Sequence, residues 1–309
     1  MKRSDMSHQA IGIMYGLLAY GAWGILPLYW KLISVVSPIE ILAHRIFWSF
    51  VYVTILLLLA KNFKKLIVVV SNRKNLLLIT LASLIIGFNW YTYIYGVNSN
   101  HVVEASMGYY ISPLITVLMG IIVLKEKLIP LQILAILSAG IGVIFMSVQY
   151  GQVPWIALTL AFTFAVYGLL KKLIKVDSMI GLAVETIILM PIALGYIFYR
   201  QINGIGAIGS ISLTATILLF LSGIATATPL LWFAKSAERI QLSTMGFLQY
   251  VSPTISLILG IIVFKEPFTI THLWGFGFIW AGLILFSISK TNIMEKIRLP
   301  LNKEVKRVP

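Results

Sequence analysis

The side chains in this sequence that can carry charge or move a proton are few, and several sit inside long apolar runs: Glu40, His44 and Arg45 in one, Glu185 in another. On insertion scales an ionisable group at the centre of a bilayer costs at least about 2.5 to 3.5 kcal/mol, so each calls for a partner or a task. Glu40 and His44 are four residues apart and share a helical face, where a carboxylate raises the proton affinity of an imidazole. Two readings stand. In one, the three residues form a proton-sensitive coupling site, or an anion contact through Arg45. In the other, Glu40 and His44 pair structurally while Arg45, about 9 Å from its helix start, snorkels to the interface. Glu185 is expected to pair with a lysine such as Lys171 or Lys172. With no cysteine in the chain there is no disulfide and no thiolate to attack a substrate or hold a metal. No His-Glu-x-x-His, Gly-x-Ser-x-Gly or phosphate-loop pattern occurs either, so an intramembrane enzyme on a lipid-linked substrate, like a non-transporting membrane sensor, is a weaker alternative to a transporter, with no cofactor and no metal expected.

A second set of residues is polar and aromatic. Asn89-Trp90-Tyr91-Thr92-Tyr93-Ile94-Tyr95 and Tyr109-Tyr110 fall within apolar runs, as do Trp232, Gln249 and Tyr250. An unsatisfied amide or hydroxyl is costly in hydrocarbon, and Asn89, Trp90, Tyr93, Tyr110, Trp232, Gln249 and Tyr250 are the expected lining of a solute cavity. Rings at bilayer interfaces need no such explanation, which accounts for Trp30, Trp155 and Trp274. Pro27, Pro113, Pro229 and Pro253 interrupt their runs, marking either a binding region or a packing kink. Gly140, Gly142, Gly275, Gly277, Ala281 and Gly282 permit close helix approach, within the chain or in a homodimer.

The elements that must position these residues follow from composition. Of 309 residues, 59% are hydrophobic and 11% charged, and the mean hydropathy is +0.95, a pattern of membrane rather than soluble proteins. The apolar runs give about ten spans of roughly 20 residues each: Ile11 to Ile33, Ile39 to Ala60, Leu76 to Val97, Val103 to Leu124, Leu128 to Val148, Pro154 to Ile174, Met179 to Tyr199, Leu213 to Ala234, Leu242 to Phe264 and Phe268 to Ser289. The first run exceeds signal-peptide length and is expected to be retained. With the N-terminus inside, Lys and Arg crowd the inside segments, and only Lys31, Arg200 and Lys265 fall outside. Both termini are therefore expected in the cytoplasm. The net charge of +14 is spread over loops and the basic tail, which speaks for topology and the lipid bilayer, with no nucleic acid as a partner.

A repeat crosses the chain at a constant offset of 140. Tyr110, Ser112, Pro113, Gly120, Lys125 and Glu126 recur as Tyr250, Ser252, Pro253, Gly260, Lys265 and Glu266. Five helices per unit is an odd number, so the second unit is expected to run inverted, the architecture of secondary transporters. The expected units are residues 1–149, residues 150–290 and a basic cytoplasmic tail over 291–309.

At these residues the sequence resembles a known family, the EamA-type drug/metabolite transporters, and most closely their RarD subfamily. The resemblance rests on Ala43-His44-Arg45, Asn89-Trp90, Glu104-Ala105-Ser106-Met107-Gly108-Tyr109, Glu185-Thr186, Leu242-Ser243-Thr244-Met245-Gly246-Phe247, Gln249-Tyr250 and Ser252-Pro253-Thr254. It departs at Ser112, where Asn is expected. It implies an all-α polytopic permease of the cell membrane, built from two inverted EamA repeats, that exchanges or exports a small organic solute, metabolite or drug, with a link to chloramphenicol. Glu104 joins Glu40, His44, Arg45 and Glu185 as a candidate coupling or charge site.

Overall fold

The computed structural model describes residues 3–99, 101–148, 153–263, 265 and 270–289, and the elements among them are all helical. They are α1 (Arg3–Leu32), α2 (Pro38–Leu59), α3 (Phe63–Ser71), α4 (Arg73–Asn98), α5 (Val102–Ile122), α6 (Pro130–Val148), α7 (Trp155–Leu173), α8 (Ser178–Ile202), α9 (Leu213–Arg239), α10 (Leu242–Gln249), α11 (Val251–Ile262) and α12 (Ile270–Ser289). With α10 and α11 taken as one, nine segments are long and apolar enough to cross a membrane, and α12, apolar over Leu273–Ser289, completes the series of ten. Helix is the answer dictated by hydrocarbon, where each backbone N–H and C=O must be satisfied within its own segment. Local chemistry starts several of them: Pro38 sits in the first turn of α2, and the side chains of Asn72, Asp177 and Ser212 accept backbone N–H groups at the heads of α4, α8 and α9.

Two elements differ from the sequence reading. Residues 63–71, expected as loop, form α3, because Leu66 and Val69 pack onto the main hydrophobic cluster while Lys64 and Lys65 stay exposed. The ninth span is not continuous but breaks at Tyr250 between α10 and α11. Pro253 has no N–H to give the Gln249 carbonyl, and Tyr250 N turns to Phe247 O, one residue tighter than α geometry. Pro27, Pro113 and Pro229 lie inside continuous helices, as does Pro191 in α8. Phe264, Glu266, Phe268 and the tail over 291–309 lie outside the described residues.

The repeat is visible in the packing. Helix α1 lies against α9 and α11, α2 against α8 and α9, α4 against α7 and α8, α5 against α7 and α10, and α6 against α12. Exchanging α1, α2, α4, α5 and α6 with α7, α8, α9, the α10–α11 pair and α12 turns this set of contacts into itself. The relation holds at single residues. Ser138 Oγ donates to the Phe278 carbonyl at 2.8 Å, across 140 residues of sequence. A Cβ on Gly142 would meet Gly275 O at 2.5 Å, and a Cβ on Gly282 would meet Ala135 O at 2.7 Å. Those two contacts exchange under the same offset. Lys125 and Lys265 also adopt the same left-handed backbone, φ 52° and 58°, a conformation uncommon outside glycine.

The tightest helix crossing is α2 on α9, where Ser49 Oγ donates to Gly223 O at 3.1 Å. A Cβ on Gly223 would overlap the Trp48 carbonyl group and come within 2.6 Å of Ser49 N, whereas one on Gly277 meets nothing within 4 Å. Gly223→Ala is expected to lower stability by about 1–3 kcal/mol, the usual cost of overpacking, and Gly277→Ala to leave it unchanged. Thermal unfolding of the two purified variants in detergent tests this; equal Tm values would contradict the crossing.

Candidate solute site between the halves

Arg45 is the centre of the site. Its Nε donates to Thr226 Oγ1 at 3.0 Å, joining α2 to α9. Its guanidinium carbon lies 4.4 Å from the ring centroid of Trp30 and 5.4 Å from that of Trp90, within the range of cation–π attraction. Tyr93 and Tyr109 meet edge to face, with ring centroids 6.0 Å apart, and both lie within electrostatic reach of Arg45. These side chains come from α1, α2, α4, α5 and α9, so the site is assembled by both halves.

Helical phase shows what Tyr93 and Tyr109 face. Tyr109 is 48% exposed, yet Ser112, Pro113 and Thr116, on its own face of α5, are buried, and the outward Leu118 and Ile122 lie on the opposite side. Tyr93 is 37% exposed but shares its face with Ile86, Asn89 and Trp90, opposite the outward stripe of Leu84, Phe88, Tyr91 and Tyr95. Their exposure is therefore into an interior space. A narrow cavity continues from Trp90 past Ile46, Ile86 and Leu230 to Glu185.

At Glu185 the interior is closed by a buried ion pair. Lys171 Nζ is 2.7 Å from Glu185 Oε1, and Tyr167 OH donates to Oε2 at 3.1 Å. The other polar groups at this end cap helices. Lys172 Nζ donates to the carbonyls of Ala237, at 3.0 Å, and Ile240 at the end of α9, and the Glu126 carboxylate accepts Leu242 N and Ser243 N, at 2.8 and 2.9 Å, at the head of α10. At the opposite end Glu40 accepts Arg200 Nη2 at 3.0 Å and Ala207 N at 2.6 Å.

Of the residues singled out in the sequence, Arg45, Trp90 and Tyr93 are brought together. Others serve packing in this conformation. Asn89 Nδ2 donates to Leu160 O and Thr163 Oγ1, at 2.9 and 2.7 Å, pinning α4 to α7. Gln249 Nε2 donates to Ser112 Oγ at 2.7 Å, and its Oε1 accepts Thr116 Oγ1 at 3.3 Å. Tyr250 is 1% exposed in a cluster against which Tyr110 also packs, with Tyr110 edge-on to Phe276. Trp232 lies on the main cluster. Glu104 Oε1 accepts Ile156 N at 2.6 Å at the head of α7. Glu40 bonds to Arg200 and Ala207 and not to His44, whose two ring nitrogens are buried without a hydrogen-bond partner among the described residues. Arg45 does not snorkel, because two indole faces and Thr226 hold it. Trp30, read from sequence as an interfacial ring, is one of those faces. Tyr109 and Thr226 were not singled out as lining; the signal for Tyr109 was its helical phase, while nothing in the sequence set Thr226 apart.

A helical bundle of membrane-spanning length, with a polar and aromatic site enclosed between two related halves, belongs to the class of membrane transporters. The EamA-like transporter family model matches residues 10–148 and again 153–288, and the chain is a member of that family, within its RarD subfamily. It is similar to the uncharacterized transporter YojE of Bacillus subtilis, 44% identical over 90% of this chain and 94% of that one. It is likewise similar to protein RarD of Escherichia coli, 37% identical over 91% and 95% of the two chains. A solved crystal structure, 16% identical in sequence, shares the fold with a TM-score of 0.69 over 89% of this chain and 96% of its own.

Removing one partner of a buried ion pair costs about 3–5 kcal/mol, while replacing both with apolar groups is often near neutral. Lys171→Met is accordingly expected to destabilise strongly, and Lys171→Met with Glu185→Leu to recover most of the loss. Unfolding of the single and double variants reads this directly, and additive losses would contradict a coupled pair.

Proposed function

We propose that the chain is a secondary transporter that exchanges or exports a small organic metabolite or drug by alternating access, with Arg45, Trp30, Trp90, Tyr93 and Tyr109 forming the solute site. The observation that carries this reading is the placement of that aromatic-walled site at the junction of two halves whose contacts interchange. In this reading the halves, residues 1–149 and 150–290, lie inverted in the cytoplasmic membrane, both termini and the tail over 291–309 are cytoplasmic, and the Lys171–Glu185 end faces the cytoplasm. The positive-inside distribution of Lys and Arg supports that orientation. His44 is the residue through which a proton would couple to transport: it sits beside Arg45, is fully buried, and has no protein partner to hold its tautomer among the described residues. Export of an amphenicol drug is one form of this reading, in keeping with the RarD resemblance.

The test is counterflow in proteoliposomes, screening labelled amino acids, aromatic acids and amphenicols with and without an imposed pH gradient. Saturable exchange is the expected result. Trp90→Ala is expected to reduce it by about five- to thirtyfold, the scale of a lost solute contact of 1–2 kcal/mol, while Trp155→Phe leaves it intact. No exchange across the panel by protein of verified fold would overturn the reading.

A further inference from the structure

We infer that Arg45 is a carboxylate subsite, and that the transported solute is an organic monoanion bearing a flat apolar group. The inference rests on the transporter reading and names the solute class of the same site. Arg45 spends one N–H on Thr226, and its guanidinium lies over the rings of Trp30 and Trp90. No described residue accepts a hydrogen bond from its Nη groups, and no described carboxylate lies within 4 Å of them. A part-buried guanidinium whose fork of donors is taken by no protein acceptor among the described residues is matched by a carboxylate, which takes two parallel N–H bonds and cancels one charge. The Tyr93 and Tyr109 hydroxyls lie within electrostatic reach of the same cation. The surrounding indole and phenol faces favour a flat apolar body beside the carboxylate.

The repeat gives a second, independent reason. Arg45 and Glu185 stand 140 residues apart at equivalent positions, and so do Lys31 and Lys171. In the second half the equivalent pair is Lys171 with Glu185, opposite in sign and closed at 2.7 Å. In the first half it is Lys31 with Arg45, two cations. Arg45 thus lacks, among the described residues, the opposite charge that Lys171 supplies to Glu185, and a bound anion supplies it.

The experiment is a binding titration of purified protein, read by intrinsic tryptophan fluorescence, with four probes: phenylacetate, phenylacetamide, phenethylamine and acetate. Phenylacetate is expected to bind at least about tenfold more tightly than each of the others, a factor set by one charge-assisted contact or by the buried ring. Arg45→Gln is expected to abolish the preference over phenylacetamide, and Arg45→Lys to keep part of it. Elution of each variant as a single species in size-exclusion chromatography verifies its fold. Equal binding of anion, amide and amine, retention of the anion preference in Arg45→Gln, or no saturable response to phenylacetate overturns the subsite. Acetate binding as tightly as phenylacetate overturns the flat apolar part. Counterflow of neutral or cationic solutes with no such binding leaves the transporter reading standing without the subsite; phenylacetate binding at Arg45 with no exchange of any solute does the reverse.

Discussion

The cost of holding charge away from water governs this molecule. Glu40 is met by Arg200 and the Ala207 N–H, Glu104 by the Ile156 N–H, Glu126 by two N–H groups at the head of α10, and Glu185 by Lys171 and Tyr167. Each arrangement joins segments distant in the chain, so electrostatic satisfaction and helix packing are one constraint. Arg45 is the exception. It has aromatic faces and a hydroxyl but no carboxylate among the described residues, and in the proposed reading the unmet part of its charge is directed to a solute.

The second constraint is symmetry. The α6–α12 crossing places Ser138 on Phe278, with Gly142 on Gly275 and Gly282 on Ala135 disposed about that contact. Close backbone contact on both sides of it ties the halves together at the periphery. The contacts nearer the cavity, α2 with α8 and α9 and α4 with α7 and α8, are likewise paired by the repeat. In the proposed reading, two halves with interchangeable contacts are the physical basis of alternating access.

Much of this was legible in the sequence. Ten apolar runs, the 140-residue offset and the Lys-Glu landmarks are statements about hydrocarbon length and helix ends, and they translate directly into elements. The break at Tyr250 and the short helix α3 needed tertiary information, one from the geometry around Pro253 and the other from where Leu66 packs. The lining residues were harder to read for a specific reason. Tyr110 and Tyr250 attract attention because they repeat, but repetition marks what the two halves do alike, and here that is packing. The cavity face is where the halves differ: Tyr109 stands opposite Gln249 and Arg45 opposite Glu185. Trp30 was hidden by its likeness to an interfacial ring, and its contact with Arg45 joins two helices whose relative rotation no single-helix pattern encodes.

The chain has no cysteine, so one introduced thiol reports alone. Tyr109→Cys, exposed to a membrane-impermeant maleimide in right-side-out and inside-out vesicles, tests whether the Arg45 site reaches water through one end of the bundle while Lys171 and Glu185 close the other. The account predicts modification from one face of the membrane only, with access from the opposite face appearing when Lys171→Met opens the ion pair. A thiol that reacts from neither face, or equally from both without that change, would contradict it.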